Sequence, residues 1–342
     1  MTRRSLYFVK QRTAEVREEN LTGPRAGEVL VQTLLSGISA GTELLVYRGE
    51  VPAEMAADET IAALSGTFAY PLKYGYAAVG RVTALGSGVE RSWDGSLVFA
   101  FQPHESHFSA APQNLLKVPP GLEPEDAVFL ANMETAVTLA LDGAPLLGEK
   151  VAVFGQGVVG LLLTALLAKF PLGALATLDL HANRRLLSET LGAQASFDPA
   201  DPQALAGLRA FFKQLEDYDG ADLTYEVSGS PAALDMAVAA TGYHGRVVIG
   251  SWYGKKRLEL NLGGEFHRRR QRLISSQVST IAPELRGRFT KARCLDLAWR
   301  MIKEINPRRL ISHRFPLAGA PQAYAMLDRR PEEALQVILT YE

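Results

Sequence analysis

The stretch VAVFGQGVVGLLL at residues 151–163 constrains this chain more than any other. A β-branched run closes on three glycines, Gly155, Gly157 and Gly160, and a helix-type apolar run follows directly. From Val151 to Ala168 no side chain is charged, which just reaches the length at which a membrane helix becomes thinkable. The glycines argue against that reading, because a glycine-rich kink in lipid would expose unpaired backbone. Strand, glycine turn and helix together describe a loop built for a pyrophosphate. Gly155 permits the tight turn, Gly157 lets backbone approach the phosphates, and Gly160 lets the helix pack closely on the strand. Gln156, Val158 and Val159 complete the loop, and the first helical turn offers free N–H groups and a positive dipole end.

The next strand, ATLDL, ends on Asp179, where a carboxylate can accept hydrogen bonds from a ribose 2′-hydroxyl. The same carboxylate repels a 2′-phosphate, so NAD is expected rather than NADP. Arg184 and Arg185 follow, either as a solvated helix face or as partners for such a phosphate. The rhythm of strand and helix continues through ADLTYEVSG and RVVIGSW, which predicts an α/β unit of Rossmann type, a doubly wound parallel sheet covered on both faces. Ser228, Gly250 and Trp252 fall at the carboxyl ends of its strands and are expected to line the cofactor. Trp252 and Tyr253 either wall that pocket or pack between domains.

A chain of 342 residues is too long for one ordinary core. Its first 130 or so residues carry short β-type runs, Glu28–Leu35, Ala78–Leu85, Ser96–Phe101 and Leu115–Val118, with one helix expected over Ala53–Phe68 between Pro52 and Gly66. The tail holds a helix (KARCLDLAWRMIKEI), the run LISHRFPL, a second helix over Ala320–Asp328 and a last strand, ALQVILTY. These resemble the first domain more than the middle one. The expected organisation is a split outer domain, 1–132 and 282–342, around an inserted dinucleotide-binding domain, 133–281.

A net charge of -1 gives no electrostatic reason to expect nucleic acid or a membrane surface as partner. The N-terminal MTRRSLYFVK lacks a sustained apolar run, so no secretory signal is read there and the cytoplasm is expected. With one cysteine, Cys294, the chain can form neither an internal disulfide nor a zinc site of several thiolates.

Four segments, GEVLVQTLLSGISAGTE, YPLKYGYAAVGRVTALGSGV, FGQGVVG and LISHRFPL with AYAMLDRRPEEALQVILTY, resemble the medium-chain dehydrogenase/reductase superfamily along essentially the whole chain. The form SGIS-x-GTE is similar to the bacteriochlorophyllide dehydrogenase branch. The resemblance implies a GroES-like outer domain, a nicotinamide-dependent oxidoreductase acting on a small molecule, and a homodimer or homotetramer. Zinc members of the family carry cysteine where this chain has Ser39, and G-H-E where it has GYA, Tyr76 and Ala77. The third ligand position falls near Asn132 or Glu134, and the four-cysteine lobe is replaced by FQPHESHFSAAPQNL. Hydroxyls are poor zinc ligands beside thiolate and imidazole, so no zinc is expected.

Without the metal, hydrogen-bond donors must stabilise charge on the reacting oxygen. Tyr76 is the candidate donor, or else it fills the vacated metal space. Thr42 matches the family's proton-relay hydroxyl, and Glu43 matches its neighbouring acid or is a structural carboxylate. Ser39, Lys73, His104 and Glu134 are expected to face the same cleft, while His104 and His107 are read either as a surface pair or as ligands or a proton relay. The basic run His267–Arg272 reads as a domain or subunit contact, or as a site for an acidic partner. Three functions follow: oxidoreduction of a hydroxyl or carbonyl, reduction of an activated C=C bond with NADPH, or dinucleotide binding without turnover.

Overall fold

The computed structural model of the chain describes residues 2–214 and 220–341. Among these residues a hairpin of β1 (Thr2–Lys10) and β2 (Thr13–Asn20) precedes β3 (Val29–Ile38), α1 (Ala40–Tyr47), β4 (Ala78–Leu85), β5 (Leu97–Ala100), β6 (His107–Ala110) and β7 (Leu115–Lys117). Helices α2 (Pro124–Ala127) and α3 (Leu130–Gly143) lead into the alternating segment. It runs β8 (Lys150–Phe154), α4 (Val158–Leu167), β9 (Ala174–Leu178), α5 (Ala182–Thr190), β10 (Ala195–Phe197), α6 (Ala204–Lys213), β11 (Ala221–Glu226), α7 (Pro231–Ala240), β12 (Thr241–Ile249) and β13 (Arg272–Ser275). The chain closes with α8 (Lys291–Ile305), β14 (Ile311–Pro316), α9 (Ala320–Arg329) and β15 (Gln336–Thr340).

Two compact units result, Met1–Ala131 with Ile302–Glu342, and Asn132–Met301. In the second, strands pair in the order β10-β9-β8-β11-β12-β13, all parallel. Every residue of β8 and β9 is buried, as a sheet covered on both faces requires. Helix α4 is buried at each position from Gly160 to Leu167, which accounts for its lack of charge. No helix among the described residues is long and apolar enough to cross a membrane.

The other unit is a mixed sheet in the order β14-β15-β3-β4-β5-β7, with β6 also on β3. Strand β15 runs antiparallel to β3, Val337 opposite Ile38 and Leu339 opposite Ser36, so the C-terminal strand completes a sheet begun near the N-terminus. The return into this unit falls within α8, at Ile302 rather than at 282, because one continuous amphipathic helix carries the chain across.

The expected helix over Ala53–Phe68 does not form. Only a single 3-10 turn, Ala62–Leu64, is helical there. The Asp58 carboxylate accepts from the Thr60 and Ile61 amides and from the Thr60 hydroxyl, a local turn that competes with helical bonding. Leu64 and Phe68 still reach the core, so the apolar positions were set by packing of a loop.

Candidate active site

The nucleotide loop lies wholly in the unit Asn132–Met301. Gly155 leaves β8 with φ +95, and a Cβ there would lie 2.7 Å from the Ser228 backbone. Both facts exclude a side chain. A Cβ on Gly160 would lie 1.9 Å from the Gly155 carbonyl oxygen, so helix α4 starts pressed against its own loop. Gly157 differs from both: a Cβ there meets nothing within 4 Å. It is the N-cap of α4 and has no side-chain cap, which leaves the amides at Val158 and Val159 facing the space that an incoming phosphate needs. Asp179 follows β9, accepting from the Gln156 amide at 2.7 Å and from the His181 amide at 2.8 Å. The acid is thereby locked to the loop it serves.

Several neighbours take roles that the sequence did not specify. The Gln156 side chain points inward, accepting from Thr164 at 3.0 Å, so only its backbone belongs to the loop surface. Arg185 donates to the Asp179 and Leu180 carbonyls and pairs with Asp198 at 3.1 Å, which commits it to holding the turn after β9. Ser228 caps the buried Glu226 carboxylate, which also accepts from Tyr253 at 2.6 Å. Burial and that carboxylate push the Tyr253 phenol far up. Gly250 is a close-packing position, since a Cβ there would come 2.5 Å from Leu139, and Trp252 beyond it is 36% exposed.

In the other unit Ser39 is the N-cap of α1, and Thr42 and Glu43 lie on its first turn. The Tyr76 hydroxyl donates to the Ser39 hydroxyl. Burial, helped by the nearby Glu43 charge and opposed by hydrogen bonds from Ser39 and Thr42, pushes the Tyr76 phenol up to about 12. At neutral pH it is therefore a proton-bearing donor. Glu43 is fully buried. One of its oxygens accepts from the Ser39 amide at 2.8 Å; the other accepts from the Tyr324 hydroxyl and from His104 Nε2 at 3.0 Å. His104, also fully buried, meets Ser36 Oγ at 2.7 Å through Nδ1, and Ser36 meets the Tyr341 hydroxyl at 2.7 Å.

Ser39, Thr42, Glu43, Tyr76 and His104 are thus gathered in one cluster, whereas Lys73 and Glu134 are held elsewhere. Lys73 pairs with buried Glu105 and lies 3.5 Å from Glu19, in a charge cluster under the N-terminal hairpin. His107 sits on β6, its imidazole pushed toward the neutral form by burial and by Arg4. Glu134 belongs to the nucleotide-binding unit, where it pairs with Lys291 at 2.5 Å; burial raises its carboxyl and Lys291 opposes this. In the basic run Arg269 pairs with Glu265, and Gln271 donates to the Thr241 carbonyl, so part of that run anchors the segment before β13. Ser36, Tyr324 and Tyr341 went unread in the sequence. Ser36 and Tyr341 lie 305 positions apart, and no local spacing signals such a contact.

Comparison with known proteins agrees with this fold. The chain is 24% identical, over 356 residues and 94% of each chain, to an uncharacterized zinc-type alcohol dehydrogenase-like protein of Escherichia coli K12. Its fold matches a structure described as a short chain alcohol dehydrogenase of E. coli CFT073 complexed with NADH, with a TM-score of 0.79, 19% identity and 99% of both chains covered. It matches equally a provisionally named zinc-binding dehydrogenase of Sinorhizobium meliloti 1021 bound to NADP, again with a TM-score of 0.79, 19% identity and 99% coverage of both. No family model matches. In fold the chain matches these dehydrogenase structures, a Rossmann unit inserted in the sequence of a split GroES-like one, and in sequence it is similar to the medium-chain dehydrogenases/reductases.

The zinc of such relatives asks for anionic or imidazole donors. At the two positions that the family resemblance assigns to metal ligands this chain has two hydroxyls bonded to each other, and burial pushes the phenol up to about 12. The adjacent carboxylate, Glu43, already accepts from three donors. This donor set does not fit zinc. The loop at Gly155–Gly160, with open space at Gly157 and an uncapped helix, does fit a dinucleotide.

Proposed function

We propose that the protein is an NAD-dependent oxidoreductase that moves a hydride between nicotinamide and a hydroxyl or carbonyl group of a small molecule without zinc. What supports this reading is the Tyr76–Ser39 hydroxyl pair, at the two positions that the family resemblance assigns to metal ligands, in a chain that retains the dinucleotide loop. Gly155–Gly160 and the start of α4 would hold the pyrophosphate, and Asp179 the adenosine ribose. The nicotinamide, when bound, would accept the hydride in alcohol oxidation and, as NADH, give it in carbonyl reduction. The remaining tasks belong to the chain.

Charge that develops on the substrate oxygen during carbonyl reduction needs a donor that is protonated at neutral pH, and Tyr76 is one. Its O–H, held on Ser39 in the free protein, turns to the substrate oxygen, and Ser39 and Thr42 keep the phenol oriented. Reduction of a C=C bond with NADPH is the weaker reading, because Asp179 opposes a 2′-phosphate and Arg185 is already engaged with Asp198 and two carbonyls.

Fluorescence titration tests the cofactor half. NADH is expected to bind at least ~10-fold more tightly than NADPH, since a lost carboxylate hydrogen bond plus charge repulsion exceeds about 1.4 kcal/mol. Equal affinities would contradict the role given to Asp179. A panel of alcohols, aldehydes, ketones and enones, followed by NADH absorbance, tests the chemistry, and turnover confined to enones would favour the weaker reading.

A further inference from the structure

His104 lies in the segment FQPHESHF, away in sequence from the nucleotide loop and from Ser39 and Tyr76, yet it touches the supports of both hydroxyls in the Tyr76–Ser39 pair. Its Nε2 reaches Glu43 at 3.0 Å, and the same carboxylate accepts the Ser39 amide at 2.8 Å. Its ring also lies under Gly75, the residue before Tyr76: a Cβ on Gly75 would come within 2.8 Å of ring atoms Cδ2 and Nε2. Gly75 has φ +126, so it is a glycine on both steric and conformational grounds. The ring cannot slide, because Nδ1 is fixed on Ser36 at 2.7 Å. Nor is it exposed to water, since Ser36, Glu43 and His104 are each fully buried.

We propose that His104 is the positioning residue of the Ser39–Tyr76 pair, seating Ser39 through Glu43 and Tyr76 through Gly75. The hydrogen bonds are all satisfied when Nε2–H donates to Glu43, Ser36 donates to Nδ1, and Tyr341 donates to Ser36. Histidine suits the place because it bonds two buried partners on opposite edges of a flat ring while its face supports a glycine. A leucine of similar bulk would leave the buried carboxylate one donor short, and a buried acceptor in that state draws its remaining donors into new positions. Ser39, held by one of those donors, would move with them.

This inference rests on the reading of Tyr76 as proton donor, but its test does not need turnover. In full-length protein labelled with [ζ-13C]tyrosine, the Tyr76 signal is the one lost in Tyr76→Phe, and its position reports the bond to Ser39. His104→Leu is expected to move that signal. His104→Gln, whose amide N–H can reach Glu43 in place of Nε2 but which lacks the ring under Gly75, is expected to move it less. On any carbonyl substrate found, His104→Leu should lower kcat roughly 10- to 100-fold, the range typical of groups that orient a ligand-binding residue, with KM for NADH unchanged. An unmoved Tyr76 signal in His104→Leu overturns the proposal, as does an equal movement in His104→Gln. Should His104→Leu fail to fold, Ser36→Ala decides: it cuts only the Nδ1 side of the ring, so a moved Tyr76 signal supports the proposal and an unmoved one overturns it. A dead enzyme with an intact Tyr76 signal would instead count against the donor role of Tyr76.

Discussion

Tyr76 combines two properties that a metal-free carbonyl site requires, a proton that it keeps at neutral pH and a partner that fixes its direction. Replacing it with phenylalanine removes one positioned donor and little volume. Tyr76→Phe is therefore expected to lower turnover by roughly 10²-fold or more while leaving NADH affinity unchanged, measured by steady-state kinetics beside fluorescence titration. Normal turnover would make Tyr76 a packing residue. Ser39 and Tyr76 were legible in the sequence because they stand at positions whose usual occupants are known from the resemblance. Glu43 was legible only as an acid: its partners Tyr324 and His104 lie 281 and 61 positions away, and which way the carboxylate turns is decided by packing, not spacing.

Among the elements, the three glycines of the nucleotide loop are chemically alike and structurally distinct. Gly157→Val adds a side chain whose Cβ would meet nothing within 4 Å beyond its own chain neighbours, so the fold should persist while NADH binding is lost. Gly160→Ala drives a Cβ to 1.9 Å from the Gly155 carbonyl and should destabilise the unit by more than about 1 kcal/mol even without cofactor. Thermal unfolding with and without NADH separates the two. The reverse pattern, a folded Gly160→Ala and an unfolded Gly157→Val, would refute the division of roles.

The N-terminal hairpin makes a second claim at this scale. Arg3 of β1 faces Glu19 of β2, and Glu19 also accepts from Tyr7 and from Ser5 at 2.7 Å. Burial works against the carboxylate, but those hydrogen bonds and the Lys73 and Arg3 charges override it and hold its carboxyl down at about 2, against an ordinary 4.5. A depressed carboxyl stabilises the folded form above its unfolded value and loses that contribution as it takes up a proton. Hydrogen exchange of the hairpin amides should accordingly be slow above about pH 4.5 and show progressive loss of protection, relative to the intrinsic rate, as the pH falls toward 2. Glu19→Gln should flatten that profile; an unchanged profile would remove Glu19 as its cause. The hairpin escaped the sequence reading because charged residues mask its alternation, and only Ser5, Leu6 and Phe8 of β1, with Ala14 of β2, are buried.

For the whole molecule, the alternation from Lys150 onward and the β-like tail were enough to read an α/β unit inserted in a split outer one, since a parallel sheet and its covering helices write their periods directly into the chain. The loop at Ala53–Phe68 was misread for a related reason: buried Leu64 and Phe68 supply apolar positions without a helix, and the Asp58 turn that prevents one is short. Candidates for the chemistry could be named where residue type at a motif position suffices, and not where a fold brings distant side chains together.

The central claim is hydride transfer without zinc, and it rests on donor chemistry at Ser39 and Tyr76. The measurement that meets it most directly is NADH-dependent carbonyl reduction by the purified protein after prolonged chelation, with zinc counted per chain by elemental analysis. The account predicts well under one zinc per chain and undiminished turnover, because neither hydroxyl is the anionic or imidazole donor that zinc favours. Stoichiometric zinc whose removal abolishes turnover, and whose return restores it, would contradict the account.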